Sequence, residues 1–250
     1  MRMALAGPAN RAGRIAGEHA ATGAAGAEMP PVLGTSIVRV FDKAAAMTGL
    51  SEKYARKLGR EATSVIVTAN NHVGYYPGAQ RIHIKLLFST DDGRILGAQA
   101  VGLADVARRI DVIAMALQLG GTVFDLEEAE LCYAPQYGAA KDPVNIAGMI
   151  AANHLRGDLP LADWSALGAE GVQVVDVRRR DEFAETTIPG AINIPLEEMR
   201  ARLGELPRDR EIWLLCMVGQ RAYYATRALM QNGINVRNLS GGMRTYETLR

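Results

Sequence analysis

Cysteine and histidine are scarce in this chain, and neither sign of charge dominates. The 250 residues include two cysteines and four histidines, and the formal net charge is +1. Because Cys132 and Cys216 lie far apart in the sequence, they do not form a disulfide framework, and we expect a cytoplasmic protein with one or two working thiols. A net charge near zero gives no general electrostatic reason to bind nucleic acid or an anionic membrane.

Long apolar runs are also absent. None approaches the ~20 residues that a membrane-spanning helix needs, and Pro8 and Arg11 interrupt the Ala/Gly-rich N-terminus where a signal peptide would have its apolar segment. We therefore predict no membrane segment and no metal site. With 48% hydrophobic and 22% charged residues, the composition is ordinary for a globular protein of one large or two smaller domains.

Residues 33–155 carry strand patterns first and helix patterns afterwards, which is typical of an α+β domain. Asp92-Gly93, between two strand candidates, is a strong hairpin signal. A helix is also predicted before this region, after a loop that contains Pro8. The predicted strands are residues 36–41, 64–69, 81–88 and 95–101, and the predicted helices are residues 11–22, 51–58, 106–119, 122–129 and 143–155.

Residues 162–250 alternate between strand and helix patterns, which indicates an α/β domain with a parallel sheet. The valine-rich run at 172–177 suits a strand that is buried on both faces. The predicted strands are residues 172–177, 211–215 and 235–239, with a brief one inside 188–195. The predicted helices are residues 162–167, 180–185, 196–206 and 222–231, with a last helix after Gly241-Gly242.

One apolar strand of this second half ends at a cysteine. Residues 212–215 lead into Cys216, a short loop that contains Gly219 follows, and a helical pattern begins at Ala222. Backbone N–H groups in such a loop and the dipole of the following helix favour the thiolate, which is the reactive form of cysteine. The spacing alone leaves open a buried structural cysteine.

The first half contains four distinctive motifs: Leu33-Gly-Thr-Ser-Ile-Val-Arg-Val-Phe41, His72-Val-Gly-Tyr-Tyr-Pro-Gly-Ala79, Arg109-Ile-Asp-Val112 and Tyr133-Ala-Pro-Gln-Tyr-Gly-Ala-Ala-Lys-Asp-Pro-Val-Asn-Ile-Ala-Gly148. With these motifs it resembles the C-terminal dimerisation domain of the flavin-dependent pyridine nucleotide-disulfide oxidoreductases, in the subgroup of coenzyme A-disulfide and persulfide reductases. Leu5-Ala-Gly-Pro-Ala-Asn-Arg11 also resembles the end of that family's flavin domain.

This resemblance implies a homodimer in which Tyr75 and Tyr133 reach the partner's active site and help to hold a thiol substrate. A phenol is a rigid side chain with a polar tip, so this role is chemically reasonable. The alternative is that both tyrosines are ordinary half-buried loop aromatics, which we favour for this chain by itself. Cys132 has no base near it in the sequence and is interpreted as a small buried residue.

The chain departs from the full-length family in two ways. It contains no G-x-G-x-x-G phosphate loop, and no cysteine precedes Cys132. FAD, NAD(P)H and coenzyme A are the cofactors of the full-length family, and we expect this chain to bind none of them by itself. We interpret it as a C-terminal part of such an enzyme: a shortened gene product, an isolated pair of domains or one half of a split enzyme.

The second half contains Val175-Asp-Val-Arg178 followed by Glu182-Phe183, Ile188-Pro-Gly-Ala-Ile-Asn-Ile-Pro195, Cys216-Met-Val-Gly-Gln-Arg221 and Leu239-Ser-Gly-Gly-Met243. With these motifs it resembles the rhodanese domain. Thr187 stands where many rhodaneses carry histidine, so no role is carried over to its side chain.

The rhodanese resemblance implies that Cys216 is a nucleophile that carries sulfur as a persulfide. The N–H groups of the active-site loop would cradle that sulfur, and Arg221 would pin the loop and add positive potential. Asp176 and Arg178 are interpreted as a supporting ion pair rather than as substrate contacts. The loop consists of Met217, Val218, Gly219, Gln220 and Arg221.

The predicted domains are the tail of a flavin domain (1–31), the dimerisation domain (32–153), a linker (154–161) and a rhodanese-like domain (162–250). The predicted function is sulfur transfer from a small sulfane-sulfur donor to a thiol acceptor. The alternative is a non-catalytic dimerisation fragment that needs a separate FAD- and NAD-binding half to reduce coenzyme A disulfide or persulfides. A phosphatase is less favoured, because related phosphatases have a cysteine loop one residue longer.

Overall fold

Five antiparallel strands form the sheet of the first domain, in the order β1-β2-β5-β4-β3. The structure is a computed structural model that describes residues 4–23 and 26–249. The elements of this part are α1 (Ala6–Thr22), β1 (Ser36–Val40), β2 (Lys43–Gly49), α2 (Glu52–Lys57), β3 (Thr63–Asn70), β4 (Arg81–Phe88), β5 (Ile95–Gly102), α3 (Val106–Gln118), α4 (Val123–Glu127) and α5 (Pro143–Leu155).

One face of this sheet is covered by α3 and α5. Alternation along β4 buries Ile82 and Ile84 on that face and turns Arg81, His83 and Lys85 to the other. The helices α3 and α5 bury their own apolar stripes in the same core. Strands followed by helices in one core confirm the predicted α+β class, although no sequence signal predicted the alanine-rich strand β2.

Four parallel strands form the sheet of the second domain, in the order β7-β6-β8-β9. Its central strand β8 packs Ile212 and Leu214 into one core and Trp213 and Leu215 into another, so both of its faces are covered. The elements are β6 (Val172–Asp176), α6 (Arg180–Glu185), β7 (Ile192–Asn193), β8 (Glu211–Leu215), α7 (Gln220–Gln231), β9 (Val236–Asn238) and α8 (Gly242–Leu249).

Two predicted helices of the second domain are wrong. Residues 162–167 form only a 3₁₀ turn at Trp164–Ala166, and residues 196–206 form successive turns that end in a 3₁₀ turn at Leu203–Glu205. In the second segment Met199 and Leu206 are buried, and turns that bring both into the core replace a regular helix. Tertiary packing overrides the weak local preference for a helix here.

Two helices, α1 and α7, begin earlier than predicted, because each includes residues that were predicted to lie in the loop before it. α1 starts at Ala6, so the segment that contains Pro8 is helical rather than a loop. Pro8 is tolerated because the N–H groups of a first helical turn have no partner within the helix. α7 starts at Gln220 rather than at Ala222, which shortens the loop after Cys216.

Residues 4–23 and 26–249 contain neither a helix that could span a membrane nor a cluster of metal-binding side chains. None of the helices described there combines the length and the apolarity that crossing a membrane requires. In the same residues, His, Cys, Asp and Glu side chains do not gather into a group of three that could hold a metal ion.

Candidate active site

Strand β8 delivers Cys216 to the carboxyl edge of the parallel sheet, where loops from neighbouring strands meet. Leu215 pairs with Asp176 of the adjacent strand β6, so Asp176 and Arg178 reach the same edge. Sites in open parallel sheets lie at this edge. The structure therefore brings together the cysteine and the two supporting residues that the sequence predicted.

The sulfur of Cys216 accepts a backbone hydrogen bond at the start of α7. The Gly219 N–H donates to Cys216 Sγ at 3.1 Å, and the sulfur lies at the N-terminus of a 12-residue helix. Gly219 has a φ of 101°, which a side chain would disfavour, so glycine permits the turn that aims this N–H. Cys216 is only 1% exposed, whereas the loop becomes half-buried from Met217 and exposed at Gln220.

Arg221 binds Glu182 of α6 in a bidentate ion pair. Its two terminal nitrogens donate to Glu182 Oε2 at 2.6 Å and to Glu182 Oε1 at 2.7 Å. The hydrogen bonds from Arg221 lower the pKa of Glu182 to about 2. The same hydrogen bonds raise the pKa of Arg221, and the charges of Cys216 and Asp176 add to that effect. Arg221 therefore ties α7 to α6 while its positive charge acts on Cys216.

Replacing Glu182 with glutamine is expected to destabilise the protein by about 1–2 kcal/mol at pH 7. The shift from 4.5 to about 2 would correspond to about 3 kcal/mol, which solvent screening of side chains that are 19% and 32% exposed reduces. Because the folded pKa is depressed, this stability is present above about pH 4.5 and is lost as the pH falls towards about 2. Urea unfolding of both proteins across this range measures the difference.

The matched control is Glu197→Gln, which replaces an exposed glutamate that has no ion pair among the described residues. We expect it to leave the free energy of unfolding within about 0.5 kcal/mol of wild type at every pH. A Glu182→Gln effect that stays constant from pH 7 to pH 3 would contradict the assignment of this stability to the ionised carboxylate.

Asp176 and Arg178 form an ion pair that is excluded from solvent. Arg178 Nη2 donates to Asp176 Oδ2 at 2.7 Å, and both side chains are at most 1% exposed. Asp176 also accepts from the Arg178 backbone N–H at 3.0 Å and from the Thr187 hydroxyl at 2.9 Å. The pair fixes the loop after β6 from within and leaves no polar atom of Asp176 facing the solvent. The sequence carried no role over to Thr187, yet its hydroxyl completes the shell around Asp176.

Two backbone donors from the start of α8 support the Cys216 loop from outside. Met243 N–H donates to the carbonyl of Cys216 at 2.9 Å, and Arg244 N–H donates to the carbonyl of Met217 at 3.1 Å. The glycine pair before Met243 was predicted only as the opening of a helix. Its contact with Cys216 was missed because nothing in the spacing of the two segments places them side by side.

The first domain brings Tyr75 and Tyr133 into contact. Their hydroxyls share a hydrogen bond, which raises the pKa of Tyr133 above its ordinary value. Tyr75 is 77% exposed, more than the half-buried state predicted for it, whereas Tyr133 is 49% exposed, as predicted. Cys132, next to Tyr133, is exposed rather than buried as predicted, and its carbonyl accepts from Arg108 Nη2 at 2.9 Å.

Family models match both halves of the chain. Residues 35–142 match the pyridine nucleotide-disulphide oxidoreductase dimerisation domain, and residues 164–248 match the rhodanese-like domain. The chain therefore joins a dimerisation domain of the disulphide oxidoreductase type to a rhodanese-like domain, as the sequence predicted.

Among curated proteins, the coenzyme A disulfide reductase of Staphylococcus haemolyticus is 39% identical over 116 residues, which is 46% of this chain and 26% of that protein. The NAD(P)H sulfur oxidoreductase (CoA-dependent) of Pyrococcus furiosus is 36% identical over 146 residues, which is 58% of this chain and 32% of that protein. The chain thus aligns with a third or less of these relatives.

Two solved structures match nearly the whole chain. The reduced CoADR-RHD of Bacillus anthracis is 42% identical, with a TM-score of 0.94 over 99% of this chain and 45% of that one. An NAD-dependent persulfide reductase from A. fulgidus is 37% identical, with a TM-score of 0.87 over 98% of this chain and 45% of that one. Both domains and their arrangement are therefore shared with larger proteins.

The described residues do not fit a dinucleotide cofactor. The sheet of the first domain is antiparallel throughout, so it has no strand–turn–helix unit whose helix N-terminus could hold a pyrophosphate. In the parallel sheet, the carboxyl end of the central strand is already filled by the Cys216 loop.

Proposed function

We propose that this chain is a sulfurtransferase in which Cys216 carries sulfur as a persulfide. The observation that carries the proposal is the hydrogen bond from the Gly219 N–H to Cys216 Sγ at the N-terminus of α7. A thiolate is stabilised by such a donor and by the positive end of the helix, and the thiolate is the nucleophile of sulfur exchange. The identity of this domain as rhodanese-like supports the same reaction.

In the first step, the Cys216 thiolate attacks the outer sulfur of a sulfane donor. A new S–S bond forms to Cys216 while the old bond to that sulfur breaks, and the donor leaves with the electron pair of the broken bond. With thiosulfate the leaving group is sulfite, so the step balances without an added oxidant or reductant. This is the geometry and electron flow of thiol–disulfide exchange.

In the second step, a thiolate or cyanide attacks the outer sulfur of the Cys216 persulfide. The bond between the two sulfur atoms breaks, the Cys216 thiolate is regenerated, and the acceptor leaves as a persulfide or as thiocyanate. No proton transfer by a histidine is required, and no histidine lies in residues 162–250. The chain thus needs only to stabilise sulfur anions at one position.

The loop residues and Arg221 supply that stabilisation. The N–H groups of the loop surround the position that the outer sulfur would take, and Arg221 adds a positive charge that acts on Cys216. Because Glu182 neutralises part of that charge, the site suits a singly charged persulfide. A phosphate would bring more negative charge and three oxygens, and it would need a longer loop.

The test is persulfide formation by the purified chain. After incubation with thiosulfate or a polysulfide, mass spectrometry should find Cys216 heavier by one sulfur atom, and adding cyanide should remove that sulfur as thiocyanate. Cys132 should stay unmodified. A chain that takes sulfur from none of these donors, or that instead hydrolyses an aryl phosphate, would refute the proposal.

A second candidate function rests on the Tyr75–Tyr133 pair. The two hydrogen-bonded phenols lie exposed on the dimerisation domain and offer a polar tip to a thiol substrate held by another domain. In this function the chain is a homodimer that completes a flavoprotein acting on coenzyme A disulfide or on persulfides. A yellow complex with a separate flavoprotein chain that reduces either substrate would support it, whereas a colourless homodimer that purifies alone would oppose it.

A further inference from the structure

One side chain of the second domain forms hydrogen bonds with the open edge of the first sheet at Ile66. β3 is the last strand of its sheet, so the outward N–H and C=O groups of alternate residues have no partner strand. The Ile66 N–H donates to Ser240 Oγ at 2.8 Å, and the Ser240 hydroxyl donates to the Ile66 carbonyl at 3.2 Å. One hydroxyl therefore satisfies both backbone groups of Ile66, across 174 residues of sequence.

Ser240 is itself fixed within the second domain. It follows strand β9 and is only 6% exposed. Its carbonyl accepts from the Trp164 indole N–H at 2.9 Å. A hydroxyl that is buried and bonded in this way cannot rotate to solvent without leaving two backbone groups of Ile66 unpaired, which is costly. The contact between the domains is therefore specific at this point.

The two residues after Ser240 are glycines that pack against opposite partners. Gly241 and Gly242 have φ values of 77° and 60°, a region that side chains disfavour. A Cβ on Gly241 would lie 2.9 Å from Cγ2 of Ile66, and a Cβ on Gly242 would lie 2.1 Å from the carbonyl oxygen of Cys216. The turn thus lies close to Ile66 of the first domain on one side and to the backbone of Cys216 on the other, and neither position has room for a side chain.

The two residues after the glycine pair fix the direction of two carbonyl groups in the Cys216 loop. Met243 N–H holds the Cys216 carbonyl and Arg244 N–H holds the Met217 carbonyl. Because the peptide unit is planar and trans, fixing a carbonyl also fixes the N–H of the next residue, which points the opposite way. The N–H groups of Met217 and Val218 are thereby aimed away from α8.

We propose that Ser240 is a positioning residue through which the dimerisation domain holds the Cys216 loop in its anion-binding form. The route runs from the edge strand β3 through the Ser240 hydroxyl and the glycine pair to the Cys216 carbonyl. Ser240 touches neither the sulfur nor a substrate, so its effect is on the loop N–H groups. This inference deepens the proposed sulfurtransferase function and rests on it for its biological meaning.

The test compares the thiolate titration of Cys216 in the full chain and in the variant Ser240→Ala. Thiolate is followed by its ultraviolet absorbance as a difference from a matched Cys216→Ala variant, so the burial of the sulfur does not affect the reading. Loss of the hydroxyl should move the titration midpoint of Cys216 upward by about half a pH unit, which is about a threefold loss of thiolate below the midpoint. Persulfide formation from thiosulfate should slow by about the same factor.

Two further variants separate positioning from general stability. Ser240→Thr keeps a hydroxyl and should restore most of the wild-type titration. Arg227→Gln removes a different contact at the junction of the two domains, in which Arg227 Nη1 donates to the carbonyl of Asp158 in the linker at 3.0 Å, and should leave the titration unchanged. Far-ultraviolet circular dichroism establishes that each variant is folded at the temperature of the titration.

The proposal is overturned if Ser240→Ala titrates like wild type, or if Arg227→Gln produces the same shift. The first result would mean that the bond between Ser240 and Ile66 does not affect the Cys216 loop. The second would mean that loosening any contact at the junction of the two domains has this effect. Because the titration needs no sulfur donor, it decides the role of Ser240 even if the chain proves inactive as a sulfurtransferase. Failure of the proposed sulfurtransferase function and failure of the positioning role of Ser240 are therefore separate results.

Discussion

Replacing Cys216 with serine is expected to abolish sulfur transfer, with a loss of at least about 10³-fold in the rate from any sulfane donor. Serine keeps nearly the same volume and can accept the Gly219 N–H, so the loop should remain folded. A hydroxyl is not ionised at neutral pH and cannot form a persulfide. The rate of thiocyanate formation from thiosulfate and cyanide measures the effect.

The second cysteine of the chain provides the control. Cys132 is exposed in a loop of the first domain, whereas Cys216 is buried at the end of β8. Cys132→Ser is therefore expected to keep the full rate, because a surface thiol without a positioned N–H donor makes no contribution to a protected persulfide. Residual transfer in Cys216→Ser that disappears only when Cys132 is also replaced would contradict the assignment of the nucleophile.

Replacing Asp176 with leucine is expected to destabilise the second domain by about 3–5 kcal/mol. Removing one partner of a buried ion pair leaves the other charge without compensation, and Arg178 is as deeply buried as Asp176. The Thr187 hydroxyl and the Arg178 N–H would lose their acceptor at the same time. Urea unfolding monitored by the fluorescence of Trp213, which lies in this domain, measures the loss.

The double variant Asp176→Leu with Arg178→Met tests the reason for that loss. Without a buried charge the protein should recover part of the stability, so the double variant should be more stable than the single Asp176→Leu variant. Asp181→Asn is the surface control, since its ion pair with Arg179 is about two-thirds exposed and its loss should change the free energy of unfolding far less than Asp176→Leu does. A double variant less stable than the single one would contradict a charge-based origin.

The candidate site could be predicted largely because its parts are local in sequence. An apolar strand, a cysteine, a glycine-containing loop and a helix occupy 20 consecutive residues from Ile212 to Gln231, and each is specified by its neighbours. Asp176 and Arg178 are two residues apart at the end of another such strand. Their pairing follows from that spacing, and the structure adds that the pair is fully buried.

Other features depend on contacts between distant segments, and local patterns could not predict them. Glu182 binds Arg221 across 39 residues, and Ser240 binds Ile66 across 174. The exposure of Cys132 is decided by the course of a whole loop rather than by its neighbours in sequence. Intrinsic helix preference is weak and gives way to the burial of particular side chains, so residues 196–206 form turns where their composition favours a helix.

The sequence by itself determined the two fold classes, most of the strands and helices within them, and the place of Cys216 at the end of an apolar strand. These follow from hydrophobic periodicity and from short motifs, which act over a few residues. Only the tertiary structure decided that Ser240 of the second domain binds Ile66 on the edge strand of the first, and that Tyr75 and Tyr133 lie together on the surface. Those contacts arise from packing whole elements together, and a packing arrangement has no signature in the order of neighbouring residues.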